Sequence, residues 1–228
     1  MFLKDKRQGV ALIELIFAIV VIAIALMSAP TLMATSAKSA SVALQQEGIN
    51  EAASRISMIL TYAWDQNDTM NTCIPPVLHV NQGDSELEEA SANRRIGVPL
   101  QTNSRTFLCD GKEYNASAIA VDGMDDIDDF IGDDTLQFVN VGSGGVDYIE
   151  KTTVNMHTNV AYIGDAANYD STIITYSPPA TVSGTSNIKH ITVTLTSTSG
   201  KSALNKKIVL KAFSCNVGGY KYVHQVLQ

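Results

Sequence analysis

The chain has 228 residues, 45% hydrophobic and 17% charged, which excludes a wholly disordered chain and allows one domain plus extra segments. Its formal net charge of −7 argues against general binding to nucleic-acid phosphates. The averages conceal an asymmetry, because residues 10–34 are almost wholly apolar and the remainder is rich in Thr, Ser, Asn and Asp.

The chain opens Met-Phe-Leu-Lys-Asp-Lys-Arg-Gln-Gly, and from Val10 to Leu26 every residue is apolar except Glu14. Continued through Ala34 as a helix, the run is about 37 Å long at ~1.5 Å per residue, enough to cross a hydrocarbon core of roughly 30 Å. Lys4, Lys6 and Arg7 precede it, and the next basic residue is Lys38. The positive-inside rule therefore predicts a cytoplasmic N-terminus, with the rest of the chain outside. The competing reading is a secretory signal peptide cut among the small residues of 28–34. Such peptides have an apolar core of about 7–15 residues and end at a small-residue site. Glu14 opposes that reading, since a carboxylate in an apolar span costs at least ~2.5 kcal/mol and usually marks function.

Gly9-Val10-Ala11-Leu12-Ile13-Glu14, after a basic leader and before an apolar helix, resembles the prepilin processing motif of type IV pilins and type II secretion pseudopilins. Val10 stands where phenylalanine is commoner, and Ala11 where threonine is. The resemblance implies that a prepilin peptidase removes leader 1–9 between Gly9 and Val10 and that the new amine of Val10 is methylated. The mature chain would then carry 13 basic and 22 acidic residues, a net charge of −9. It implies, too, that Glu14 pairs with the Val10 amine of a neighbouring subunit during assembly. Unpaired charges in hydrocarbon are expensive, so this pairing would fix the axial offset between subunits. The other possibility is a Glu14 that snorkels to the headgroups.

Residues 10–34 thus read as the transmembrane half of one long helix. Its second half, 35–64, is amphipathic, with an apolar stripe at Val42, Ile49, Ala53, Ile56, Leu60 and Ala63 predicted to lie against a globular domain. Asp65-Gln66-Asn67-Asp68 ends it. Pro30 removes the bond to the carbonyl of Leu26 and predicts a kink.

Residues 65–228 read as a β-rich head. Strands are predicted over Thr135–Val141, Asn159–Ile163, Ser171–Tyr176, Ile188–Thr198 and Lys207–Cys215, the last two joined by a turn at Ser199-Gly200-Lys201-Ser202. Strands without intervening helices favour an antiparallel sheet, so the expected fold class is α+β: a long N-terminal helix packed on an antiparallel head, as the pilin resemblance also implies.

Enzymatic motifs fail on spacing. Gly200-Lys201-Ser202 ends like a phosphate-binding loop, but Leu195 stands where its first glycine is required. Ser143 lacks the setting of a nucleophile elbow, and His79, His157, His190 and His224 are scattered. The expectation is a non-enzyme.

Three cysteines, Cys73, Cys109 and Cys215, lie beyond the apolar run. In an oxidising compartment two would pair. Cys73 and Cys109 flank one loop-rich segment and are the expected disulfide; the rival pairing is Cys109 with Cys215.

Asp122 to Asp134 places seven carboxylates in thirteen residues. Calcium takes six to eight oxygens, and Asp126, Asp128 and Asp129 are candidate ligands, although Phe130 breaks the EF-hand pattern. The alternative is a solvated acidic loop whose aspartates cap turns. The string Asp125–Phe130, with Tyr62-Ala63-Trp64-Asp65 upstream, is similar to minor pilins of mannose-sensitive haemagglutinin pili.

The function these resemblances imply is a minor pilin or pseudopilin of a type IV pilus or type II secretion filament, held in the bacterial inner membrane with its head in the periplasm. Its implied partners are other pilins, the prepilin peptidase, the inner-membrane assembly platform and membrane lipid. The alternative is a membrane-anchored adhesive or ligand-binding tip protein stiffened by calcium.

Overall fold

A computed structural model describes residues 5–68, 77–83, 88–89, 94–95, 107–141, 149–164, 171–173, 180–197 and 206–218. Cys73, Ser143, His224, the turn at 199–202 and the 174–176 portion of one expected strand lie outside them. Helix α1 runs Asp5–Ile59, 55 residues, or about 80 Å at ~1.5 Å per residue. Ala11–Ser36 is long and apolar enough to cross a membrane, with a mean hydropathy of 2.8 and nothing packed over it. Pro30 lies inside α1, which is helical on both sides of it.

The helix ends at Ile59, five residues before the expected end at Trp64. Thr61 N–H donates to Met58 O and Tyr62 N–H to Ile59 O, so the last turn tightens to three-residue closure. Ala63 then leaves the helix to form a parallel bridge with Asp126, where Ile127 N–H donates to Ala63 O at 3.1 Å. Trp64 turns into the core instead of extending the helix, and its indole N–H donates to Ser214 O at 3.2 Å.

Four short strands form two hairpins: β1 (Glu88–Glu89) with β2 (Arg94–Arg95), and β3 (Leu108–Cys109) with β4 (Lys112–Glu113). The main sheet is an antiparallel meander of β5 (Gly132–Val141), β6 (Ile149–Ile163), β7 (Ile188–Ser197) and β8 (Lys207–Cys215), each strand paired with the next in sequence. Ser171–Ile173, inside an expected strand, forms bends instead. Successive strand residues face opposite ways, and on β7 Lys189, Ile191, Val193 and Leu195 are buried while His190, Thr192, Thr194 and Thr196 are half-exposed.

The inner face of the sheet meets the end of α1. Ala52 packs with Met156, Val193 and Leu195, and Ile59 and Trp64 pack with Leu78, Ile127, Phe130, Val160, Tyr162 and Ile191. The contact face of α1 is turned from the expected stripe: Gly48, Ala52 and Ile59 are buried and Ile56 is half-buried, while Val42, Ala53 and Leu60 are exposed. A Cβ on Gly48 would stand in ordinary contact with the Leu195 side chain, at 3.6 Å.

Candidate functional site

The described residues hold two unusual chemical features, one on the stem and one inside the head. On the stem, Gly9 and Val10 lie within α1, and the exposed Glu14 sits among outward-facing Leu12, Ile13, Leu15 and Ile16.

Inside the head, the start of an inner strand, at one end of the sheet, carries a lysine with no solvent contact. Lys189 on β7 is fully buried, and its ammonium group meets three carboxylates. It donates to Asp128 Oδ1 and lies 3.7 Å from Asp65 Oδ2 and 3.8 Å from Asp126 Oδ2. The rings of Trp64 and Tyr162 flank it, their centroids 5.0 and 5.4 Å from Nζ. Such contacts between a cation and an aromatic face are worth about 2 kcal/mol or more when desolvated.

Each carboxylate is also held by the backbone. Asp65 Oδ2 accepts from the Ser117 N–H at 2.9 Å and the Ser117 hydroxyl at 2.8 Å. Tyr162 O–H donates to Ser117 O at 2.8 Å, with Asp65 Oδ2 at 3.4 Å. Asp128 Oδ2 accepts from Ala120 N–H at 2.9 Å, and Asp126 Oδ1 from Asp128 N–H at 2.9 Å.

Charge balance forces protons into this cluster. Asp65, Asp126, Asp128 and the nearby Asp68 set four carboxyl groups against one amine, an excess that burial penalises heavily. Burial pushes the Asp68 carboxyl up to about 7; Asp65 and Asp126 add to the rise and Lys189 opposes it. Asp68 Oδ1 is buried and has no hydrogen-bond partner among the described residues. Asp126 is also pushed up to about 7, mainly by burial, with Lys189 opposing and Asp128 contributing. Burial and the charges of Asp65 and Asp128 hold the Tyr162 phenol well above its ordinary value.

The three residues offered to calcium on sequence grounds are therefore turned inward. Asp126 and Asp128 face Lys189, and Asp129 is buried with its two oxygens collecting N–H groups from Asp122, Gly123, Asp125 and Asp126 at 2.9–3.2 Å. Burial pushes the Asp129 carboxyl up, but those four donors outweigh it and hold the group far below the usual range. The acidic oxygens that do converge, within 4.8 Å of one another, belong to Asp122, Asp125 and Asp129. The string is thus a loop wound around its own aspartates, with Asp125 raised first by burial and then by its hydrogen bond with Asp129 and the charges of Asp129 and Asp122.

Cys109 is disulfide-bonded and buried, while Cys215 keeps its thiol at the half-buried end of β8. The remaining cysteine of the chain, Cys73, lies outside the described residues.

Lys189 and Asp65 escaped the motif-based reading, although one signal was present. Lys189 has the same parity as Ile191, Val193 and Leu195, which places it on the buried face of a strand the alternation already defines. The chain matches no protein-family model, no curated protein and no solved structure.

Proposed function

We propose that the chain is a structural subunit, a minor pilin or pseudopilin, of a type IV pilus or type II secretion filament. Before assembly, α1 would anchor it in the bacterial inner membrane with its N-terminus cytoplasmic and its head periplasmic. One observation carries this reading. A single helix presents an exposed apolar surface over Ala11–Ser36, bears a lone carboxylate at Glu14 in that surface, and continues unbroken until it packs on a four-stranded sheet. A plain anchor needs no Glu14, and a cleaved signal has no use for continuity with the head. A subunit whose stems bundle against one another uses both. The outward leucines and isoleucines would meet lipid first and neighbouring stems later, while Glu14 would meet the Val10 amine of the next copy.

The test is processing and assembly in the native host. Mature protein should begin at a methylated Val10, and Gly9→Val should abolish maturation. Glu14→Leu should insert normally, because a costly carboxylate is removed, and yet be strongly depleted from sheared filaments. A mature chain starting near Thr31 or Ser36 would refute the reading, as would normal incorporation of Glu14→Leu.

A further inference from the structure

We propose that Lys189 and Asp128 become joined by an intramolecular isopeptide bond, with Asp126 carrying the proton. This inference stands on the head alone and does not depend on filament assembly.

The arrangement has what condensation of an amine with a carboxyl requires. Nucleophile and electrophile are already in contact, since Nζ donates to Asp128 Oδ1. Lys189 is completely buried and Asp128 nearly so, so the pair is fixed by packing and meets no competing water. The second carboxyl oxygen, Asp128 Oδ2, accepts the Ala120 N–H at 2.9 Å. That donor stabilises negative charge developing on Oδ2 as the carbon becomes tetrahedral. A proton carrier stands beside them, Asp126 Oδ2 lying 3.8 Å from Nζ.

In bulk water the reaction stalls because amine and acid ionise each other into an unreactive pair. Here, separated charges are costly and carboxyl groups outnumber the amine, so transfer of the shared proton from Nζ to Asp128 Oδ1, giving a neutral amine and a neutral Asp128 acid, is accessible. The Asp126 carboxyl, pushed up to about 7 by burial, gains and loses its proton near neutrality. The neutral Nζ attacks Asp128 Cγ, and the Nζ–Cγ bond forms. Asp126 takes a proton from nitrogen and delivers one to Oδ1, the Cγ–Oδ1 bond breaks, and one water leaves. No oxidant, reductant or cofactor is needed, and Asp126 ends as it began. The Trp64 and Tyr162 rings cover the site and oppose the reverse hydrolysis. Asp65 acts as a positioning residue, its Oδ2 held by Ser117 and its charge drawing Nζ into place.

The bond would join positions 61 residues apart, fastening the acidic loop to β7, one of the two inner strands of the sheet. Peptide mapping by tandem mass spectrometry decides the matter on full-length protein purified in detergent, reduced, denatured and digested with trypsin. The expected product is one branched species joining the Asp128 and Lys189 peptides, lighter than their sum by one water and uncut after Lys189. Lys189→Arg should lack it. Asp126→Asn, with near-ultraviolet dichroism of Trp64 showing an intact head, should lose most of it. Separate peptides of full mass with cleavage after Lys189 would overturn the proposal, and so would water loss confined to the Asp128 peptide, the mark of a succinimide. Undiminished linkage in folded Asp126→Asn would overturn the proton-carrying step.

Discussion

Between Ala11 and Ser36 the helix turns apolar side chains outward on every side, Phe17 being 71% and Leu26 68% exposed. In the middle of the head the reverse holds, for Lys189 and Asp65 are 0% exposed and Asp126 and Asp128 nearly so. The two regions invert the usual placement of oil and charge, and each inversion needs a different compensation. The apolar stem is stable only where something other than water surrounds it, such as lipid or other stems. The buried charges are stable only because backbone N–H groups, an ammonium group and retained protons satisfy them from within. The stem thus depends on its surroundings and the head on its own interior.

The sharpest way to break the comparison is to remove the lysine. Lys189→Met should destabilise the head by about 3–5 kcal/mol, because Asp65 and Asp126 are left buried without the Nζ group they face and Asp128 loses its partner, ion pair or amide alike. Denaturant unfolding of the full chain in detergent, followed by Trp64 fluorescence, measures it. A loss below about 1 kcal/mol would mean that the carboxyl groups are neutral without help. Next in size, one substitution made in both regions should have unequal effects. Ile191→Ala should cost about 2–5 kcal/mol, since its side chain is fully buried, whereas Ile22→Ala in the stem should leave the same transition unmoved.

Acidity gives a third contrast, confined to the head. Asp68 and Asp126 have folded-state values near 7, above the ordinary 3.8. Their contribution to stability is complete below the ordinary value and is lost as pH rises through about 7. The melting temperature should therefore fall between about pH 4 and pH 7 and level off above that, and Asp68→Asn should flatten that slope. Asp129 has the opposite sign: its lowered value contributes stability at neutral pH that is lost in strong acid, below the ordinary carboxylate range. A melting temperature that rises steadily across the neutral range would contradict the protonated cluster. The smallest effect is expected at the seam between stem and head. Arg55 reaches Asp134 at 3.1 Å and lies over the Phe130 ring, yet the pair is partly solvated, so Arg55→Ala should cost only about 0.5–1 kcal/mol.

Much of the layout was legible because it rests on local pattern. The apolar helix, β7 and β8 follow from runs and alternation in the chain itself, and β7 and β8 fall within a residue of their expected bounds. Strand β6 begins ten residues before its expected start at Asn159, because Glu150-Lys151-Thr152-Thr153 offers no alternation of oil and water. The start of β5 is concealed in the same way by exposed Asp133 and Asp134. The expected helix end failed at Trp64, where propensity favours one more turn but a partner 150 residues away, Ser214, captures the indole. The aspartate string showed only half of its surroundings for a related reason. Charge density suggests solvent or a cation, and only the fold discloses that the counter-charge is a lysine 61 residues downstream.

The order of the strands has a consequence for the time course of folding. Every pairing in the sheet joins sequence neighbours, the longest connection running from Ile163 to Ile188, so the meander closes over far shorter spans than the helix does and should assemble first. Its core is sealed from the other end of the chain, by Ile59, Trp64 and Asp65, whose partners lie up to 150 residues away. Closing so long a loop is the slow step. We predict that the head forms its sheet first and receives the end of α1 last. Pulse-labelled hydrogen exchange should accordingly protect β6–β8 amides before the Ile127 amide that bonds Ala63, and simultaneous protection would refute that sequence of events. Until that closure the sheet exposes one apolar face, which leaves the incomplete head open to proteolysis for a defined interval.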